Sequence, residues 1–219
     1  MGIAMKNESG RPEEYRGAKI LVRFDGAKCV HSRHCVLEQP AVFQANVSGP
    51  WIRPDAGSPD AAIEVAHHCP SGAITYERLD GGAQESAPAV NTAHVRENGP
   101  LALRAELIVG GKPAGFRATL CRCGASKNKP WCDASHVAAG FKASGEPATQ
   151  TSQPLARRDG PLAITPTKNG PLEVSGSLEI CSGTGRTVLR TQQTWLCRCG
   201  GSSNKPFCDG THAKIGFTG

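Results

Sequence analysis

The stretch that decides the reading is "CRCGGSSNKPFCDGTH", residues 197–212. Its cysteines are spaced Cys-x-Cys-x8-Cys, and a histidine follows the third by four residues. At that separation Cys208 and His212 fall on one face of a helical turn. Cys197 and Cys199 sit two apart on an extended segment, where their thiolates can flank one metal or bind different atoms of a cluster. Three thiolates and one imidazole fit two occupants. Structural zinc sites prefer Cys-x2–4-Cys knuckles, and Cys-x-Cys is too tight for one. A [2Fe–2S] cluster takes its four ligands two and two, with Cys197 and Cys199 on one iron and Cys208 and His212 on the other. Spacing favours iron–sulfur over zinc and leaves both open.

The string occurs twice. "CRCGASKNKPWCDASH" at 121–136 aligns with it without gaps, 11 of 16 positions being identical, which marks the C-terminal half as a tandem duplication. The first copy supplies Cys121, Cys123, Cys132 and His136. Downstream both copies reach Gly-Phe, at 140–141 and 216–217; upstream, "NGPLAL" (98–103) is similar to "DGPLAI" (159–164), after which the second copy carries a longer insert. Alternating apolar residues and β-branched runs predict strands in "LALRAELIV", "LEVSGSLEI" and "RTVLRTQQTWL". A helical turn is expected after each third cysteine, with Asp133 and Asp209 as N-caps and Gly140 and Gly216 as stops.

Both copies resemble the CDGSH iron–sulfur domain of mitoNEET-like proteins, whose pattern is Cys-x-Cys-x2-Ser/Thr-x3-Pro-x-Cys-Asp-Gly-Ser/Ala/Thr-His. The second copy matches throughout: Cys197, Cys199, Ser202, Pro206, Cys208, Asp209, Gly210, Thr211 and His212. The first matches at Cys121, Cys123, Ser126, Pro130, Cys132, Asp133, Ser135 and His136, but has Ala134 in place of glycine. If that position needs positive φ, Ala134 costs roughly 1 kcal/mol. The resemblance covers about the last 120 residues. It implies a [2Fe–2S] cluster with three Cys ligands and one His at each site, in a β-rich fold.

The N-terminal part carries "CVHSRHC" (29–35) and "HCPSGAITY" (68–76). The Cys-Pro ending is that of bacterial ferredoxins, whose run is Cys-x2-Cys-x2-Cys with a distant Cys-Pro. Here Ser32 holds the middle position, leaving Cys29, Cys35 and Cys69. The stretch from about 18 to 80 resembles the divergent mono-cluster ferredoxins. Three thiolates suit a [3Fe–4S] cluster; [4Fe–4S] is the alternative if Ser32, His31, His34 or water caps the fourth iron. "SPDAAIEVAHHC" predicts a helix with Ser58 as cap and Pro59 first, and "KILVRF" and "AITYERL" predict strands.

Several residues have plainer readings. Cys181 fits no motif and reads as a buried apolar residue. His67 and His68 read as exposed helix residues. Trp131 and Phe207 can shield a cluster or simply pack. Lys129 and Lys205 are solvated charges or, beside an anionic cluster, residues that tune it.

Composition narrows the classes. Only 5% of residues are aromatic, and modules so poor in large side chains usually need metal or disulfide staples. The net charge of +6 is scattered, with no basic run longer than Arg157-Arg158 and little aromatic interleaving, which argues against nucleic acid. Three clusters with these ligands carry roughly −4 in total, so the basicity offsets cofactors. The N-terminal "MGIAMKNESG" is too polar for a signal or membrane span, and Lys6 breaks a myristoylation motif. The expected compartment is therefore the cytoplasm, where clustered cysteines bind metal.

The sequence thus predicts an α+β protein. A small ferredoxin-like domain (18–80) and a linker (81–95) precede one CDGSH domain (96–142), a second linker (143–157) and a second CDGSH domain (158–219). The copies are expected to pack as an internal pseudo-dimer, giving a monomer. No Ser/His/Asp constellation, phosphate loop or Gly-x-Gly-x-x-Gly run argues for an enzyme. The expected role is electron transfer with redox partners. The alternative is a cluster donor to apo-acceptor proteins or a pH- or redox-responsive iron sensor. A redox subunit of a partner enzyme is a third reading.

Overall fold

The computed structural model describes residues 11–219. The N-terminal leader and myristoylation readings fall on residues outside that range. The chain forms two compact units, the first ending at Ser86 and the second spanning Ala87–Gly219.

In the first unit, β1 (Glu13–Arg16), β2 (Ile20–Phe24) and β3 (Ile74–Arg78) form an antiparallel sheet in that order. Two helices join β2 to β3: α1 (His34–Glu38) and α2 (Pro59–His68). α2 begins as expected, with Ser58 Oγ accepting from Ala61 N at 3.2 Å and Pro59 in the first turn. Its Ala62, Val65 and Ala66 pack with Val22, Phe43 and Ile74 in the unit's core. The short α1 and β1 had no clear periodicity to announce them.

The second unit is one six-stranded sheet built from both copies. Copy one gives β4 (Thr92–Val95), β5 (Leu101–Val109) and β6 (Lys112–Leu120), followed by α3 (Ser135–Ala138). Copy two gives β7 (Pro161–Pro166), β8 (Leu172–Cys181) and β9 (Thr187–Leu196), followed by α4 (Thr211–Lys214). β5–β6 and β8–β9 are hairpins; Gly110 and Gly111, with φ of 57° and 78°, make the first turn, a pair of positive angles that twists a two-residue hairpin correctly. β4 pairs antiparallel with its own β5 and parallel with β8 of the other copy. β7 reciprocates, antiparallel to β8 and parallel to β5. Leu101, Leu103, Leu107, Leu162, Ile164, Leu172, Leu178 and Ile180 form the shared core.

Three expectations change. Residues 92–95, placed in a linker, form a strand at the centre of the sheet: Ala93 and Val95 are fully buried, a two-residue alternation too short to stand out among small residues. The stretch 143–157 contains no helix or strand but is tied to β9, Gln150 N donating to Val188 O at 2.9 Å and Arg190 N to Ser152 Oγ at 3.1 Å. The duplication also aligns differently. "NGPL" at 98–101 corresponds to "NGPL" at 169–172, not to 159–164. Asn98 and Asn169 share positive φ (48° and 53°), and each accepts through Oδ1 from a backbone N–H at the end of its own copy, Ala143 or Gly219. The apparent insert is therefore the second copy's hairpin, and β7 is the counterpart of β4.

Candidate metal centres

In each CDGSH copy two segments are zipped together at the end of the sheet. Cys121 N donates to Pro130 O at 2.8 Å and Cys132 N to Thr119 O at 2.9 Å; Cys197 N and Cys208 N do the same with Pro206 O and Trp195 O, at 2.8 and 2.9 Å. This sets the Cys-x-Cys strand beside the Pro-x-Cys strand. Their donors form pairs: Cys121 and Cys123 Sγ atoms lie 3.7 Å apart, and Cys132 Sγ lies 3.5 Å from His136 Nδ1. In the second copy the same separations are 3.7 Å and 3.3 Å. Two ligands on one tetrahedral metal with bonds of about 2.3 Å are separated by about 3.7 Å, so each pair suits one metal atom. Among the described residues no three Cys, His, Asp or Glu side chains converge on a single ion. The donor set is two and two.

Backbone amides point at the sulfurs. Ala125 N lies 3.4 Å from Cys123 Sγ, Gly201 N 3.4 Å from Cys199 Sγ and Ala134 N 3.5 Å from Cys132 Sγ. Such donors stabilise negative charge on a thiolate or cluster. The bond from the Cys123 thiol brings Cys121 down to about 6, and the same bond pushes Cys123 up. Burial pushes Cys132 up to about 11 and holds His136 below the ordinary histidine value.

The Asp of each motif sits one residue earlier than an N-cap. Asp133 Oδ2 accepts from Lys127 N at 2.8 Å and Oδ1 from Ser135 N at 3.1 Å; Asp209 repeats both bonds, with Ser203 N and Thr211 N. The N-cap positions are Ala134 and Gly210, at φ 65° and 82°. Ala134→Gly should therefore raise the unfolding free energy by about 0.5–1 kcal/mol, measured by denaturant titration, with both ligand pairs unchanged. Gly140 and Gly216 end the turns at φ 59° and 62°, as the sequence indicates.

The two sites meet at their Cys-x-Cys-Gly segments. Cys123 and Cys199 form an antiparallel bridge. A Cβ on Gly124 would lie 2.5 Å from Cys199 O, and one on Gly200 would lie 2.4 Å from Cys123 O. Between the two cysteines of each Cys-x-Cys, an arginine turns inward. Arg122, 1% exposed, donates Nε to Gly99 O and its Nη atoms to the carbonyls of Arg96, Ala143 and Ser144, over the ring of Phe141 at 5.3 Å. Arg198, 3% exposed, binds Gly170, Thr167 and Gly219 oxygens and lies over Phe217 at 5.4 Å. Sequence reasoning missed both, since an arginine reads by default as a surface charge. Their recurrence at the same place in both copies was the available signal.

Lys129 and Lys205 cap carbonyls of their own loops, those of Ser126 and Ser202, and Lys129 also lies 5.8 Å over the Phe217 ring. Phe207 joins the shared core and Trp131 packs against it. Cys181 is buried, its Sγ 3.8 Å from Glu179 O.

In the first unit Cys29, Cys35 and Cys69 line one cavity of about 420 Å³, with Phe24, Trp51 and His31 among its walls. That is many times what a single water requires, and leaves room for a cluster. Burial raises Cys35 to about 11 and also raises Cys29, and both feel the charge of Cys69. Loading metal here must displace thiol protons. Ser71 Oγ lies 3.7 Å from Cys69 Sγ. His67 and His68 are exposed and bind Tyr76 and Glu38, at 3.2 and 2.7 Å.

Comparison with known proteins matches two families to this chain. The family described as "Iron-binding zinc finger CDGSH type" matches residues 91–137 and 169–213, and that described as "Divergent 4Fe-4S mono-cluster" matches 15–79. The proteins printed as "Uncharacterized protein YjdI" in Escherichia coli K12 and O157:H7 are each 40% identical over 62 residues, 28% of this chain and 80% of theirs. No helix among the described residues is long and apolar enough to cross a membrane. The chain belongs to the CDGSH iron-binding family, as an iron–sulfur protein with two CDGSH segments behind a divergent mono-cluster domain.

Proposed function

We propose that this chain is a cytoplasmic one-electron carrier with three iron–sulfur centres, exchanging electrons with redox protein partners. Cys121, Cys123, Cys132 and His136 hold one [2Fe–2S] cluster, and Cys197, Cys199, Cys208 and His212 hold another. The observation that carries this is the pairing of donors at 3.7 and 3.3–3.5 Å, which suits two metal atoms per site. At Cys29, Cys35 and Cys69 the three thiols alone point to [3Fe–4S], but the matched family is a four-iron one, and we take [4Fe–4S]. The reciprocal strand exchange supports internal pseudo-dimer packing and a monomer.

When bound, such clusters supply one-electron redox chemistry at a potential set by ligand charge, hydrogen bonds and burial. The chain's residues do the rest. Amides of Ala125, Ala134 and Gly201 steady the sulfurs. His136 and His212 present Nδ1, a nitrogen that a proton also seeks. Acidification favours N–H over N–Fe; because burial lowers His136, its competition with protons sets in at a lower pH than for an exposed histidine. The potential should fall as pH rises, and iron should leave as pH drops. His212→Cys should make its site more reducing and remove most of the slope of potential against pH near neutrality. Redox titrations over a pH series check this, and an unchanged slope overturns the ligand assignment.

The second reading, cluster donation or sensing, is favoured by the position of each His ligand on a four-residue surface helix, where Val137 is 74% exposed. Transfer of visible absorbance to an apo-ferredoxin would select it.

A further inference from the structure

A four-iron cluster has four corners, and the first unit offers three thiols. We propose that His31 supplies the fourth ligand, through Nδ1; this rests on the four-iron reading given above. Nδ1 of His31 lies 3.9 Å from Cys29 Sγ, and the ring lines the same cavity as all three cysteines. The chain bends to put it there: His31 and Arg33 have φ of 54° and 67°. The left-handed region is strained for non-glycine residues, and here two of three consecutive residues adopt it. The bend leaves His31 Nδ1 beside the Cys29 sulfur.

The competing donors on the cavity wall fit less well. His34 Nδ1 is engaged at 2.8 Å by Glu38, whose other oxygen holds His68 at 2.7 Å, so this carboxylate ties α1 to α2; His34 keeps Nε2 as a donor, but the histidine set beside a cavity thiol is His31. Ser71 Oγ already accepts from Ala73 N and faces the sulfur of Cys69. The carboxamides of Gln44 and Asn46 are hard oxygen donors, suited to other metals. A Ser32 hydroxyl must lose a proton to bind iron, whereas imidazole binds as the neutral base present at neutral pH.

The test uses the full chain, purified without oxygen, with iron counted and low-temperature EPR recorded on the oxidised protein. His31→Ala should lose one iron per chain and gain the signal of a three-iron cluster, while His34→Ala keeps the wild-type count. His31→Cys should restore the lost iron and make this cluster more reducing, since thiolate adds negative charge. If His31→Ala keeps every iron and an unchanged potential, the proposal fails and the four-iron reading stands. If His31→Ala loses the whole cluster, His31→Cys decides: a full count with a lowered potential supports the proposal, and an unchanged potential overturns it. A three-iron signal in the wild-type protein would sink the four-iron reading and the proposal together.

Discussion

Gly200→Ala, and equally Gly124→Ala, is expected to cost about 2–5 kcal/mol and to deplete iron from both CDGSH sites at once. The estimate adds a backbone overlap of about 1–3 kcal/mol to the left-handed conformation of an L-residue, about 1–2 kcal/mol. The overlap cannot relax cheaply. The new methyl would sit 2.4 Å from Cys123 O or 2.5 Å from Cys199 O, and these are the main-chain atoms of ligands in the opposite copy. One substitution must therefore disturb the Cys-x-Cys segment of its own site and of the other. Gly185→Ala is the control: φ is +93° there, but no atom lies within 4 Å of the added Cβ. It should cost about 1 kcal/mol and keep both clusters. Iron per chain and the two visible spectra read the outcome; loss confined to one site would contradict the shared seam.

Arg122→Ala is the second large effect, about 3–5 kcal/mol, because it removes a fully buried cation and strips four backbone carbonyls of their donor. Arg122→Lys should recover little: a single ammonium has three donors and cannot span the fork made by Gly99, Arg96, Ala143 and Ser144. The charge matters as well as the bonds. Burial lowers both arginines below the ordinary guanidinium value; negative charge at Glu97, Cys197 and Cys123 works the other way on Arg122, and charge at Cys121 does so on Arg198, so each guanidinium is coupled to a cysteine of the opposite copy. Losing either should make the clusters more reducing, which redox titration of the surviving holo-protein would detect. Destabilisation with unchanged potentials would leave the arginines a purely structural role.

The candidate donors were legible because cluster chemistry fixes spacing: Cys-x-Cys-x8-Cys-x3-His occurs in both copies, and in each the two cysteines of Cys-x-Cys lie side by side. α2 was legible through Ser58, Pro59 and its apolar face. The exchange of β4 and β7 was not, since both are short and each finds its parallel partner more than 50 residues away in the chain. The alignment error had a similar cause. Gly-Pro-Leu occurs at both 160–162 and 170–172, and local identity could not say which one turns into the long hairpin. Lys129 and Lys205 read from the sequence as solvated charges or as residues that tune a neighbouring cluster; their bonds to Ser126 and Ser202 carbonyls come from loop geometry that no spacing rule reveals.

The account is tested most directly by iron, acid-labile sulfide and zinc measured on chain purified without oxygen. It predicts about eight irons and eight sulfides per chain, two of each at either CDGSH site and four of each at Cys29, Cys35 and Cys69, with negligible zinc. A colourless, folded protein carrying zinc at Cys197, Cys199, Cys208 and His212, or no metal, would contradict it.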